Sequence, residues 1–149
     1  MLNYSQKNLK ERLVDRKNWF KDSIDELQNT KIIYVDPDNG IEVKSQPIGG
    51  INGNKYISYQ EIKEYYDYGF SLIVYNHRDR KPHKEYIKRF KQIQDEIENK
   101  LFYLRFSRYS VRDYLFVSQN DIAEDIYAFL CEFVKSSWGE CFSLHNVDF

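Results

Sequence analysis

The run Asp36-Pro37-Asp38-Asn39-Gly40-Ile41-Glu42 sets three carboxylates close together in the chain. Carboxylate oxygens are hard ligands, and Mg2+ or Mn2+ is the kind of cation they suit. A metal held by Asp36, Asp38 and Glu42 would polarise a phosphoryl oxygen or generate a hydroxide nucleophile. The same run also has a plainer reading. Asp, Pro, Asn and Gly all favour turns, and Asp36 can serve as a cap.

A second set lies in His77-Arg78-Asp79-Arg80-Lys81-Pro82-His83-Lys84. Here His77 would activate water or orient phosphate, and Arg78 would stabilise developing negative charge. Arg80 joins Asn39 and Lys55 as candidate binding residues, Lys55 being able to reach the acidic turn. The alternative is a solvated loop with a capping role, the preferred reading for Lys81, His83 and Lys84. Lys88, Arg89 and Lys91 extend the positive charge along the next helix, a solvated face or, with the loop, a surface able to track a phosphate backbone. Arg105, Arg108 and Arg112 of the late hairpin would join it, and the interleaved Tyr103, Tyr109 and Tyr114 would stack bases or simply line a half-buried strand surface.

The elements that must position these groups follow from periodicity. A helix is predicted from about Ser5 to Gln28, with Leu9, Leu13, Phe20, Ile24 and Leu27 on one face. Lys31–Val35 reads as a buried strand ending in the acidic turn. Glu42–Lys55, rich in Gly and Pro, reads as a long loop. Ser58-Tyr59-Gln60-Glu61 is a capping box that opens a helix stopping at Gly69. Ser71–Asn76 is a second continuous apolar strand, with His77 and Arg78 at its carboxyl end. Pro82 opens the next helix near its N1 position, lined by Tyr86, Phe90, Ile93 and Ile97. Leu101–Phe106 and Tyr114–Ser118 read as antiparallel strands joined by a turn over Ser107–Asp113. Asp121–Trp138 is the last helix, and Cys141–His145 a final edge strand.

That order predicts an α/β fold: a Rossmann-like, mostly parallel sheet flanked by helices, with a late antiparallel pair. In such sheets ligands bind beyond the carboxyl ends of the strands. Asp36, Asp38 and His77 would then share one crevice.

At 149 residues the chain is expected to form one domain. A formal net charge of −1 supplies no global field toward nucleic acid or membrane. Cys131 and Cys141 are too few for a disulfide framework and lack zinc-ligand spacing, so both are expected reduced. With no apolar leader and no long apolar run, the expectation is a cytoplasmic chain without membrane contact. No G-x-G-x-x-G, Walker A or G-x-S-x-G pattern occurs.

Four resemblances rest on these residues. IIYVDPDNGIEV and SLIVYNHRDR look like blocks of an uncharacterised bacterial and phage family with a "DPDNG…E" block and a "VVYxH" block. That likeness spans Trp19 to the C-terminus and implies that the chain begins partway through a longer pattern. Asp36 and Asp38, with Glu42 soon after, resemble the Asp-x-Asp strand tip of TOPRIM domains of topoisomerases and nucleases. Pro37-Asp38 followed by Glu42-Val43-Lys44 resembles a restriction-type nuclease site, in which Lys44 would steady the attacking water. The element order after Asp36-Pro37 is similar to class I methyltransferases, although no glycine-rich cofactor loop precedes it.

The first expectation is therefore a metal-dependent phosphoryl-transfer enzyme, a nuclease or phosphodiesterase acting on nucleic acid or a nucleotide. Asp38, His77, Arg78 and Lys44 would do the chemistry. One alternative is a methyltransferase-like fragment. Another is a non-catalytic phage or mobile-element protein that blocks a host factor, with a Tyr-rich surface and the Glu42–Lys55 loop as contacts.

Overall fold

The computed structural model describes residues 2–147. Helix α1 runs Leu9–Leu27, opened by a capping box in which the Asn8 side chain and Glu11 exchange bonds. Strand β1, Ile32–Val35, follows and ends at the acidic turn. The segment read as a loop holds short structure: β2 (Gly40–Ile41), a 3-10 turn (Gly53–Lys55) and β3 (Tyr56–Ile57), with β2 and β3 paired in parallel. Helix α2, Tyr59–Asp67, begins at the predicted Ser58/Glu61 capping box, and Gly69 leaves it at φ +97°. Strand β4 (Ser71–His77) precedes α3 (His83–Ile97), with Pro82 at the N-cap rather than N1. Strands β5 (Phe102–Arg108) and β6 (Ser110–Val117) form a hairpin. Helix α4 (Asn120–Lys135), a 3-10 turn (Ser137–Cys141) and β7 (Phe142–Asn146) complete the described chain.

The sheet order is β1-β4-β6-β5-β7, and only β1 with β4 is parallel. The expected Rossmann-like, mostly parallel sheet is thus wrong: the fold is a mixed α/β fold on a mostly antiparallel sheet. Two physical causes explain the difference. The β5–β6 hairpin turns through a single residue, Tyr109 at φ +64°, so its strands are longer than expected and it folds back tightly. It is β6, not β5, that then lies against β4. Second, helices cover both faces of the middle strands, whereas β1, expected to be buried, is covered on one face only, with Ile32 and Tyr34 exposed. A strand buried on both faces reads as a continuous apolar run whatever its direction.

One core gathers Phe20 of α1, Ile62 and Tyr65 of α2, and Tyr86, Phe90 and Ile93 of α3 on Ile33, Leu72, Val74, Tyr103, Leu115 and Val117 of the sheet. The other face packs Leu130 of α4, with Ile126, Tyr127 and Phe133, on Phe102, Leu104 and Phe116. Among the described residues no helix is long and apolar enough to cross a membrane.

Candidate functional site

Because β1 and β4 are adjacent, parallel and in register at Val35 and Val74, their carboxyl ends lie side by side as expected. The acidic turn is built on that junction. Gly40 N donates to Pro37 O at 3.2 Å, and Asn39 N donates to Lys55 O at 3.0 Å, so the backbones of Asn39 and Lys55 are tied together. Ile41 N donates to the buried Asn76 Oδ1 at 2.8 Å, locking the turn to the tip of β4.

Asp36 and Asp38 are exposed and line the mouth of a cavity of about 620 Å3 between α1 and β1. That volume lies in the range of ligand pockets. Trp19 and Leu27 of α1, with Ile32 and Tyr34 of β1, supply its apolar wall. Its floor is polar but satisfied. Arg16 donates from Nε and Nη2 to the two Glu61 oxygens at 2.6 and 2.7 Å, and also to the carbonyls of Gly53 and Tyr56. Burial pulls the Arg16 pKa down, but the bonds and charge of Glu61 outweigh it and leave it above the ordinary value. The Ser23 and Tyr65 hydroxyls share a bond of 2.7 Å beside it. Desolvation, and next the charge of Asp36, raises the Tyr34 hydroxyl above its ordinary range.

Glu42 does something else. Its N–H donates to Ile57 O at 2.8 Å, and its Oε1 accepts from Tyr59 N at 2.9 Å, so it ties β2 to the start of α2. Among the described residues no group of three or more His, Cys, Asp and Glu side chains is placed to hold a metal ion. Asp36 and Asp38 stay at the cavity, while the Glu42 carboxylate is bonded to Tyr59 N. Lys44 is exposed on a small turn closed by the Val43–Gln46 bridge.

The basic loop divides between two faces of the sheet. His77 is exposed, pairs in register with Arg112, and has its Nδ1 3.5 Å from the Tyr75 hydroxyl. It does not line the acidic cavity. Arg78 turns the other way, its guanidinium 5.7 Å from the centre of the Tyr86 ring. Arg80 is exposed in the loop before α3.

Comparison with protein-family models, with curated proteins and with solved structures finds no match.

Around Arg78 the structure assembles a group that sequence reasoning missed. Cross-strand partners share a face, so Asn76, Asp113, Arg105 and Ser143 form a polar row across β4, β6, β5 and β7. Asp113 is fully buried and takes a bidentate pair from Arg105, at 2.8 and 2.9 Å. Asn76 Nδ2 donates to the Tyr86 hydroxyl at 2.6 Å. Burial, and next Asp113, pushes that hydroxyl far above its ordinary value. Arg89 pairs with Asp79 and also lies 5.3 Å from the Tyr86 ring centre. One signal was available: alternation on the apolar strands β5 and β6 puts Arg105 and Asp113 on the buried face, where a charge needs a partner.

Proposed function

We propose that this chain is a binding module that takes an extended segment of a partner protein along the open edge of β1. A basic side chain of that segment would meet Asp36 and Asp38. The observation that carries this reading is the unpaired edge. β1 is bonded to β4 alone, and Ser71 N donates to Lys31 O at 2.9 Å. Backbone groups of a strand alternate in direction, so Lys31, Ile33 and Val35 face β4. The N–H and C=O groups of Ile32 and Tyr34 face outward.

Strand edges in proteins are commonly blunted by Pro, Lys or a bulge. Ile32–Val35 carries none of these side chains, and the side chains beside the edge are apolar. Ile32 is 43% exposed, Tyr34 55% and Trp19 of α1 41%. Strand addition uses main-chain bonds for affinity and alternate side chains for specificity. The two carboxylates at the mouth form no ion pair among the described residues and would select for positive charge.

Selection from a displayed random-peptide library tests this. Enriched peptides should be rich in β-branched and aromatic residues, carry Lys or Arg near one end, and protect the Ile32 and Tyr34 amides from hydrogen exchange. Ile32→Pro removes one outward N–H without touching the β4 ladder and should abolish capture. Peptides bound equally well by Ile32→Pro and by Asp36→Asn/Asp38→Asn would overturn the reading.

A further inference from the structure

The corner where β4 passes into α3 carries cations that its own carboxylates do not neutralise. Asp113 is engaged by Arg105 in a bidentate pair, and Asp79 by Arg89. Arg78 makes no ion pair among the described residues; it is held instead over the Tyr86 ring. Two imidazoles come from elements that flank this group, the start of α3 and strand β7, whose His145 pairs with Tyr103 of β5. His83 is the first residue of α3 and is exposed. His145 comes from β7, where its ring stacks on Tyr103 with centroids 4.9 Å apart and planes 14° from parallel. Its Nε2 is 2.7 Å from Ser143 Oγ, and the guanidinium of Arg105 lies 5.3 Å from the same Tyr103 ring.

The result is layered. Asp113, Asn76 and Tyr86 form a buried base whose hydrogen bonds are made. Around it are Arg78 over the Tyr86 ring, Arg105 paired with Asp113, His145 stacked on Tyr103 and His83 one turn before Tyr86 on α3, all with some access to solvent. Arg80, Lys81 and Lys84 add exposed positive charge at the rim. Pro82 supplies no side-chain cap to α3, so the helix start adds its own favourable field for an anion. Guanidinium and imidazole N–H groups both donate to oxyanions, and a tetrahedral oxyanion presents several acceptors at once.

We infer that this corner binds the phosphate group of a ligand, with Arg78 and His83 as direct donors and His145 and the Asp113-paired Arg105 beside them. It is separate from the acidic edge of β1, and neither site needs the other.

Nuclear magnetic resonance of the His83 and His145 ring protons provides the test. Inorganic phosphate should move both saturably, while sodium chloride at matched ionic strength should not. ADP and a short single-stranded oligonucleotide then separate the two sources of phosphate. Tighter binding of ADP assigns a nucleotide or phosphomonoester, and tighter binding of the oligonucleotide assigns a phosphodiester backbone; either supports the site. Loss of a charge-assisted hydrogen bond in Arg78→Gln should weaken binding about tenfold or more. Arg78→Lys keeps the charge and should retain part of the affinity, and Asp38→Asn should retain all of it. Chloride shifts equal to those of phosphate would overturn the proposal. So would unchanged phosphate affinity in a folded Arg78→Gln protein.

Discussion

Asn76 Oδ1 accepts the Ile41 N–H at 2.8 Å, joining the strand that follows the acidic turn to the tip of a strand 35 positions further on. The other end of the same amide donates to the Tyr86 hydroxyl, so one buried side chain holds the turn, β4 and α3 together. A Cβ on Gly40 would overlap Asn76 Oδ1, and Gly40 also sits at φ +97°. Gly40→Ala therefore meets both a backbone penalty and a steric one. A loss of at least about 2 kcal/mol is expected, read as a lower urea midpoint with an unchanged slope. Asn76→Leu should lose about as much, because it takes from the Ile41 N–H and the Tyr86 hydroxyl a partner they have in a fully buried place.

Arg16 and Glu61 join α1 to α2 beneath the acidic cavity, with both side chains nearly buried. Removing one member leaves the other as an uncompensated buried charge. Arg16→Met is expected to cost about 3–5 kcal/mol in chemical denaturation. Arg16→Lys should recover little of it. The guanidinium spans both Glu61 oxygens and two carbonyls at once, which a single ammonium cannot reproduce.

Proline scanning of β1 separates its two sides. Ile33 is buried and faces β4, so Ile33→Pro removes a ladder bond and a core side chain; about 3 kcal/mol or more should be lost. Ile32 opens the strand with its N–H outward, a position where proline is tolerated in edge strands. Its thermal midpoint should stay close to that of the parent chain. Equal destabilisation by the two substitutions would mean that the edge of β1 is already covered.

Local signals made the elements legible and left their assembly hidden. The Ser58 capping box, the Gly69 stop and the α3 face of Tyr86, Phe90 and Ile93 are written in short-range spacing, and each is found. The sheet was misread because apolar runs report burial on two faces and carry no strand direction. Glu42 shows the same limit at the site. Nothing in its local sequence announces that its carboxylate accepts from Tyr59 N, a bond set by the pairing of β2 with β3. Asp113, Arg105 and His145 went unrecognised as a group because strand register, a non-local property, is what aligns them.

The two imidazoles near Arg105 set the pH response above the carboxylate range. Burial lowers the pKa of both His83 and His145, and the positive charge of Arg105 lowers both further. The folded chain therefore binds fewer protons than the unfolded chain between those lowered values and the ordinary histidine value of about 6.5. Stability should rise with pH through that window and be lost as pH falls below about 6.5. Urea midpoints measured at steps from about pH 7 down to about pH 5 would show the slope, and His83→Gln/His145→Gln should flatten it. A phosphate ligand would favour the imidazolium forms, raising both pKa values and reducing the slope in the parent chain. In the double variant phosphate should leave the slope unchanged, because the groups it acts on are gone. If the double variant kept the full slope, the response would belong to other groups.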